Sequence, residues 1–183
     1  MLRFAPWARI KRRFAFDGHF IDPRFARNRR RYLLQCAFVS GAMAGVLLLL
    51  DTFYQTVLIA ALGASSFVAF AAPSMRVSRP RCLIGGYLVG TLVGCGVSML
   101  VAATGGLMSL DSRSVRIVLG ALAVGITMLI MVTTDTEHPP GVAVALGFVL
   151  SDWEPSTVAA VLTGIVAISV IKELVREHLI DLL

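Results

Sequence analysis

TTDTEHPPGVAVALGFVL, residues Thr133 to Leu150, lies between two long apolar runs and decides how the rest of the chain is read. It carries two carboxylates (Asp135 and Glu137), then His138 and the paired prolines Pro139 and Pro140. An uncharged run from Gly141 to Leu150 follows. Proline has a fixed φ and no backbone N–H, which suits the first turn of a helix and not its interior. The pattern predicts a helix from Pro139 to about Leu150, with His138 just before it. Its unpaired N–H groups and the positive end of its dipole would face Asp135–His138. Polar groups at membrane depth are costly, so they either sit at a membrane surface or serve a function.

Composition supports the membrane setting. The 183 residues are 57% hydrophobic and only 15% charged, against roughly 25% charged in soluble domains. The mean hydropathy of +0.80, with long uncharged runs, indicates an all-α, polytopic transmembrane helical bundle. Charge is unevenly spread. Residues 1–31 hold ten of the 17 Lys and Arg against Asp17 and Asp22, a local +8, and the remainder of the chain sums to −2. A basic arm beside a first membrane helix marks the cytoplasmic side and attracts anionic lipid. Nucleic-acid binding, the other use of such an arm, is not expected in a membrane protein. Cys36, Cys82 and Cys95 lie in or beside apolar runs and form no C-x-x-C pair, so they read as small buried hydrophobes. No signal-peptide pattern precedes the first run, and no fused soluble domain is expected.

Three parts are expected: a basic cytoplasmic arm (1–31), a transmembrane domain (32–172) and a short cytoplasmic C-terminal helix end (173–183). In the arm, Phe4, Trp7, Ile10 and Phe14 recur at helical spacing between basic residues, as in a helix lying among lipid headgroups. A disordered tail is the alternative. Six apolar segments follow: Tyr32–Leu50, Thr56–Ala72, Cys82–Ala103, Ser114–Val132, Pro139–Leu150 and Ser156–Ile171. A bilayer core needs about 20 helical residues, so the second, fifth and sixth segments are short. The connector 73–81 (PSMRVSRPR) carries three Arg, whereas 51–55 (DTFYQ) has no basic residue and 151–155 (SDWEP) is acidic. With six crossings and a cytoplasmic N-terminus, the Arg-rich connector and the C-terminus are cytoplasmic. Only Arg113 and Arg116 disagree. A re-entrant fifth segment would instead move the C-terminus outside.

The two halves share an order: long span, short or interrupted span, span. An inverted 3+3 repeat, as in many transporters, is one reading of this order, and chance Gly/Ala similarity is the other. Gly86, Gly90 and Gly94 recur every four residues, as do Gly41 and Gly45. That spacing lets helix backbones touch, within the chain or in a homo-oligomer.

Two segments are candidate sites. In the second, Gly63 allows close backbone approach while Ser65 and Ser66 offer hydroxyls beside Ala64. The fifth offers N–H groups at Gly141 and Val142, with His138 beside them. A helix N-terminus, hydroxyls and an imidazole suit a small anion. The serines could instead bond only to their own preceding turn, and His138 could be a cap at the membrane surface. Asp135, Glu137 and His138 are too close in sequence to converge readily on one metal ion. No cofactor motif, H-E-x-x-H, G-x-S-x-G or P-loop is present, so no enzyme and no cofactor are expected.

His138-Pro139-Pro140, together with Gly63-Ala64-Ser65, Phe70, Pro73, Pro80-Arg81 and Gly85-Gly86, resembles the HPP family of integral membrane proteins. The matches span about residues 40–172. The family is described as having four or more membrane helices, and some plastid and cyanobacterial members are linked to nitrite transport. The resemblance therefore implies a small-anion transporter. By position it implicates Gly63, Ala64, Ser65, Pro80, Arg81, Gly85, Gly86, His138, Pro139 and Pro140. Cys82, Tyr87, Val142 and Val144 depart from its pattern, each read as the loss of a polar group. The combined expectation is an inner-membrane transporter moving a nitrite-like anion. Gly63, Ala64, Ser65, Ser66, His138, Pro139, Pro140 and Gly141 would bind the anion, and Arg81 would attract it. The competing class is a non-transporting scaffold or assembly protein.

Overall fold

The computed structural model describes residues 23–50, 56–104 and 112–182. The arm positions Phe4 to Phe14 and the DTFYQ connector lie outside them. Two compact parts, residues 1–34 and 35–183, divide the chain, and the second holds the helical bundle. Six α-helices and no strand occur among the described residues: α1 (Pro23–Leu50), α2 (Thr56–Ala71), α3 (Pro80–Thr104), α4 (Ser112–Thr134), α5 (Pro139–Leu150) and α6 (Pro155–Val175). Short 3₁₀ turns, Arg76–Ser78 and Arg176–His178, precede α3 and follow α6. The all-α expectation holds.

By length and apolarity, three stretches among the described residues are able to cross a membrane: Pro80–Ala103, Val115–Thr134 and Pro155–His178. Helices α2 and α5 are apolar but shorter, at 16 and 12 residues. Lengths of 28, 16 and 25 residues, then 23, 12 and 21, repeat the long–short–long order. Proline at the first helical position starts α3, α5 and α6, as its fixed φ favours. Helix α6 continues four residues past Ile171, because Lys172 is only 1% exposed and pairs with Glu173 at 2.6 Å. A charged residue thus fits inside the helix just past the end of the apolar run.

The fifth segment runs alongside α3 from one end of the bundle towards the other. Helix α5 starts where His138 meets Gly86, near the start of α3. It ends in a connector whose Trp153 Nε1–H donates to Ser98 Oγ at 3.0 Å, far along α3. Asp152 of that connector pairs with Arg116, the fifth residue of α4, at 3.6 Å. Arg116, an exception to the charge rule, thus has an acidic partner at its own end. At about 1.5 Å per residue, α5 advances roughly 18 Å.

At the opposite end, the chain terminus returns to the Arg-rich connector. Leu182 N–H donates to the Ala71 carbonyl at 2.8 Å, and Ser74 binds Asp181. Gln35 of α1 donates to the carbonyls of Phe70 and Ile180 and accepts from Ile180 N–H. The tail therefore caps carbonyls that α2 leaves unpaired at its C-terminus.

The core gathers Leu58, Leu62, Phe70, Leu83, Tyr87, Val144, Phe148, Ile165 and Ile168 from α2, α3, α5 and α6. The glycines of α3 give this core its closest contact. A Cβ at Gly90 would overlap the Gly141 carbonyl oxygen, and one at Gly94 would lie 2.7 Å from the Ala145 oxygen. The glycine stripe is thus a seat for α5 within the chain. Gly41 and Gly45 face open space.

Candidate functional site

Helix α4 ends at Thr134, and Asp135 adopts φ 60°, a left-handed conformation that usually favours glycine. Thr136 N–H reaches back to the Met131 carbonyl at 3.0 Å, the closure typical of a helix C-terminus. Arginines hold this turn. Arg76 pairs with Asp135, and with Glu137 at 3.3 Å. Arg81 donates to the Thr134 carbonyl at 3.0 Å and stands 4.0 Å from Asp135. The acidic connector is thereby tied to the basic one, with His138 directly behind it.

His138 is fully buried. Its ring fits because Gly86 has no side chain: a Cβ there would lie 2.6 Å from His138 Cβ. The ring nitrogens are both engaged, Nδ1 with the Val77 carbonyl at 3.1 Å and Nε2 with Ser65 Oγ at 2.8 Å. Ser65 Oγ also lies 2.8 Å from the Tyr87 hydroxyl and 2.9 Å from the Ala61 carbonyl. Ser65, Tyr87 and His138 are each 0% exposed. In this connector, burial disfavours the imidazolium and holds His138 below the ordinary histidine value, while the Val77 carbonyl opposes the shift. A neutral imidazole bonded to a carbonyl must carry its proton on Nδ1, so Nε2 accepts. The chain of donors then runs from Tyr87 O–H to Ser65 Oγ, from Ser65 O–H to Nε2, and from Nδ1–H to Val77. Were His138 protonated, Nε2–H would donate to Ser65, whose own proton would turn to Ala61. The same atoms therefore accommodate both protonation states by reorienting one hydroxyl.

The candidates divide into two groups. Ser65 and His138 meet directly, and Pro140 and Gly141 are buried beside them. Ser66 is buried but donates to Leu62 in its own preceding turn at 3.0 Å. Ala64 and Pro139 are exposed. Arg81 is exposed and engaged at the end of α4.

Three expectations need correction. Helix α2 runs unbroken through Gly63-Ala64-Ser65-Ser66, so no Gly-Ala-Ser break exists. A Cβ at Gly63 would meet nothing within 4 Å, so no backbone approaches it. At α5, Gly141 N–H is not free: it donates to the His138 carbonyl at 2.9 Å. Tyr87, at a position where the resemblance implies the loss of a polar group, instead completes the chain of hydroxyls with its phenol. Its position immediately after Gly86, the residue that seats His138, was the available signal. No three of His, Cys, Asp and Glu among the described residues converge as metal ligands.

A family model described as "HPP, transmembrane region" matches residues 26–179. The chain belongs to the HPP family. This HPP chain is also similar to a transmembrane protein of Dictyostelium discoideum, 31% identical over 90 residues. That stretch is 49% of the HPP chain and 29% of the relative, so the match covers less than a third of the relative's length. No solved structure matches.

Proposed function

We propose that this HPP protein transports a small, nitrite-like inorganic anion, with Ser65, Tyr87 and His138 forming the closed centre of its path. The observation that carries this reading is the convergence of three fully buried polar side chains, from α2, α3 and the α4–α5 connector, inside an apolar bundle. Polar side chains within a membrane are costly and tend to mark substrate or proton routes. Hydroxyls and an imidazole can donate to an anion. The link of some family members to nitrite transport agrees with that chemistry. Arg76 and Arg81, exposed above His138, would draw an anion to the entrance against competition from Asp135 and Glu137.

The charge pattern supports placement in the bacterial inner membrane with the arm, the Arg-rich connector and the C-terminus cytoplasmic. The experiment is anion flux into liposomes, with nitrite first, for the intact protein and for His138→Ala. Flux from the intact protein that falls at least tenfold in the variant is the expected result. Equal flux would remove His138 from the mechanism, and no flux from either would leave the scaffold. One observation favours that second reading: Ser65, Tyr87, His138 and the Val77 carbonyl satisfy one another within the chain.

A further inference from the structure

We infer that one face of α3 continues the His138 site as a polar track across the bundle, with the Thr91 hydroxyl as its midway contact for the transported anion. This inference rests on the transport reading and deepens it. Tyr87, Thr91 and Ser98 are spaced by four and seven residues, which places them on one side of a helix. They span about 16 Å of rise. Tyr87 ends the hydrogen-bonded group at His138. Ser98 is held at the far end of the bundle by Trp153. Between them Thr91 is 5% exposed, and its hydroxyl has no hydrogen-bond partner.

That orphan is unusual. A buried threonine in a helix normally donates to the carbonyl one turn back, and a buried hydroxyl is rarely left unpaired. Ser66, Thr133 and Thr134 all donate to a preceding turn. Thr91 does not, so its donor remains available to a visiting group. Thr127 of α4 is the second buried hydroxyl without a partner among the described residues. Both stand near the first turn of α5: Thr91 follows Gly90, which meets Gly141, and Thr127 is one turn from Met131, whose Cε also meets Gly141. The two unpaired hydroxyls thus sit on helices that both pack against Gly141.

The chemistry of the face selects the passenger. Helix α3 contains no Asp or Glu, and its sole charged side chain is Arg81 at the entrance. Hydroxyl donors without a carboxylate suit a small anion better than a cation. Leu92, the next residue, points the other way and is 73% exposed on the apolar outer face, so the two neighbours should experience different solvents.

The test places Thr91→Cys and Leu92→Cys, separately, in a protein whose Cys36, Cys82 and Cys95 are replaced by alanine. Each is reconstituted in liposomes and treated with a small anionic methanethiosulfonate. Labelling of the cysteine at 91 but not at 92 is expected, slowed severalfold by nitrite. Equal labelling of both positions, or of neither, overturns the track whatever the flux. In the same vesicles Thr91→Val should lower nitrite flux about tenfold, and Thr91→Ser should retain it. Flux unchanged in Thr91→Val overturns the contact while leaving transport intact. Labelling at 91 with no flux from the intact protein overturns transport instead.

Discussion

Helices α2 and α5 are both short, apolar and marked by a glycine near a polar group, yet the two glycines do opposite things. At Gly141 in α5 the backbone is pressed against Gly86, Gly90 and Met131. At Gly63 in α2 nothing approaches. What matters in α2 is Ser65, two residues on, whose hydroxyl reaches His138. The difference teaches that a small residue in a membrane helix signals contact only where another element lies opposite it. The α3 stripe meets Gly141 and Ala145, and the α2 glycine meets no comparable stripe.

The largest effect expected from this contrast is at Gly90. Gly90→Ala drives a methyl into the Gly141 carbonyl, with backbone on both sides and no flexible side chain to yield. Such overpacking costs typically 1–3 kcal/mol and at times more. A fall in melting temperature in detergent, with loss of monodisperse protein, is the expected outcome. Retention of wild-type stability would mean that α3 and α5 are not seated as described.

Next in size is Ser65→Ala, which removes the hydroxyl shared by Tyr87 and His138 and leaves two buried groups short of a partner. An unsatisfied buried group costs about 1–3 kcal/mol. Tyr87→Phe removes a single donor and should cost about 1 kcal/mol. Denaturation of both variants checks the order; a larger loss for Tyr87→Phe would place the centre of the network on the phenol.

A smaller effect is expected with pH. The folded protein holds His138 below its ordinary value, so the unfolded chain binds more protons as pH falls through about 6.5. Stability present above that value should decline as the medium is acidified, and His138→Gln should flatten the decline relative to the parent. Identical pH profiles would show that the imidazole is hydrated. The smallest change belongs to Gly63→Ala, where the added methyl meets nothing. Higher helix propensity should raise stability by at most about 1 kcal/mol, and a measurable loss would reveal a neighbour at that face.

Much of this architecture was legible along the chain. Paired prolines have few places to go in a helix, so the start of α5 at Pro139 followed from stereochemistry alone. The Arg-rich connector 73–81 and the chain end lie at the same end of the bundle, where Ser74 and Asp181 meet. Legibility failed where the outcome depended on a distant partner. The openness at Gly63 and the tightness at Gly90 cannot be told apart without knowing what lies opposite. Tyr87 was undervalued for a related reason: a phenol is polar at one atom, and only the fold decides whether that atom meets Ser65 or lipid.

The tail beyond Leu179 carries one more lesson. Through Gln35, Phe70, Ala71 and Ser74 it ties the middle of α1 to the C-terminal end of α2 and the connector after it, and Ser65 rides on α2. A cargo passing His138 would have to part helices that are strapped at that rim, while Trp153 on Ser98 and Asp152 on Arg116 tie the far one.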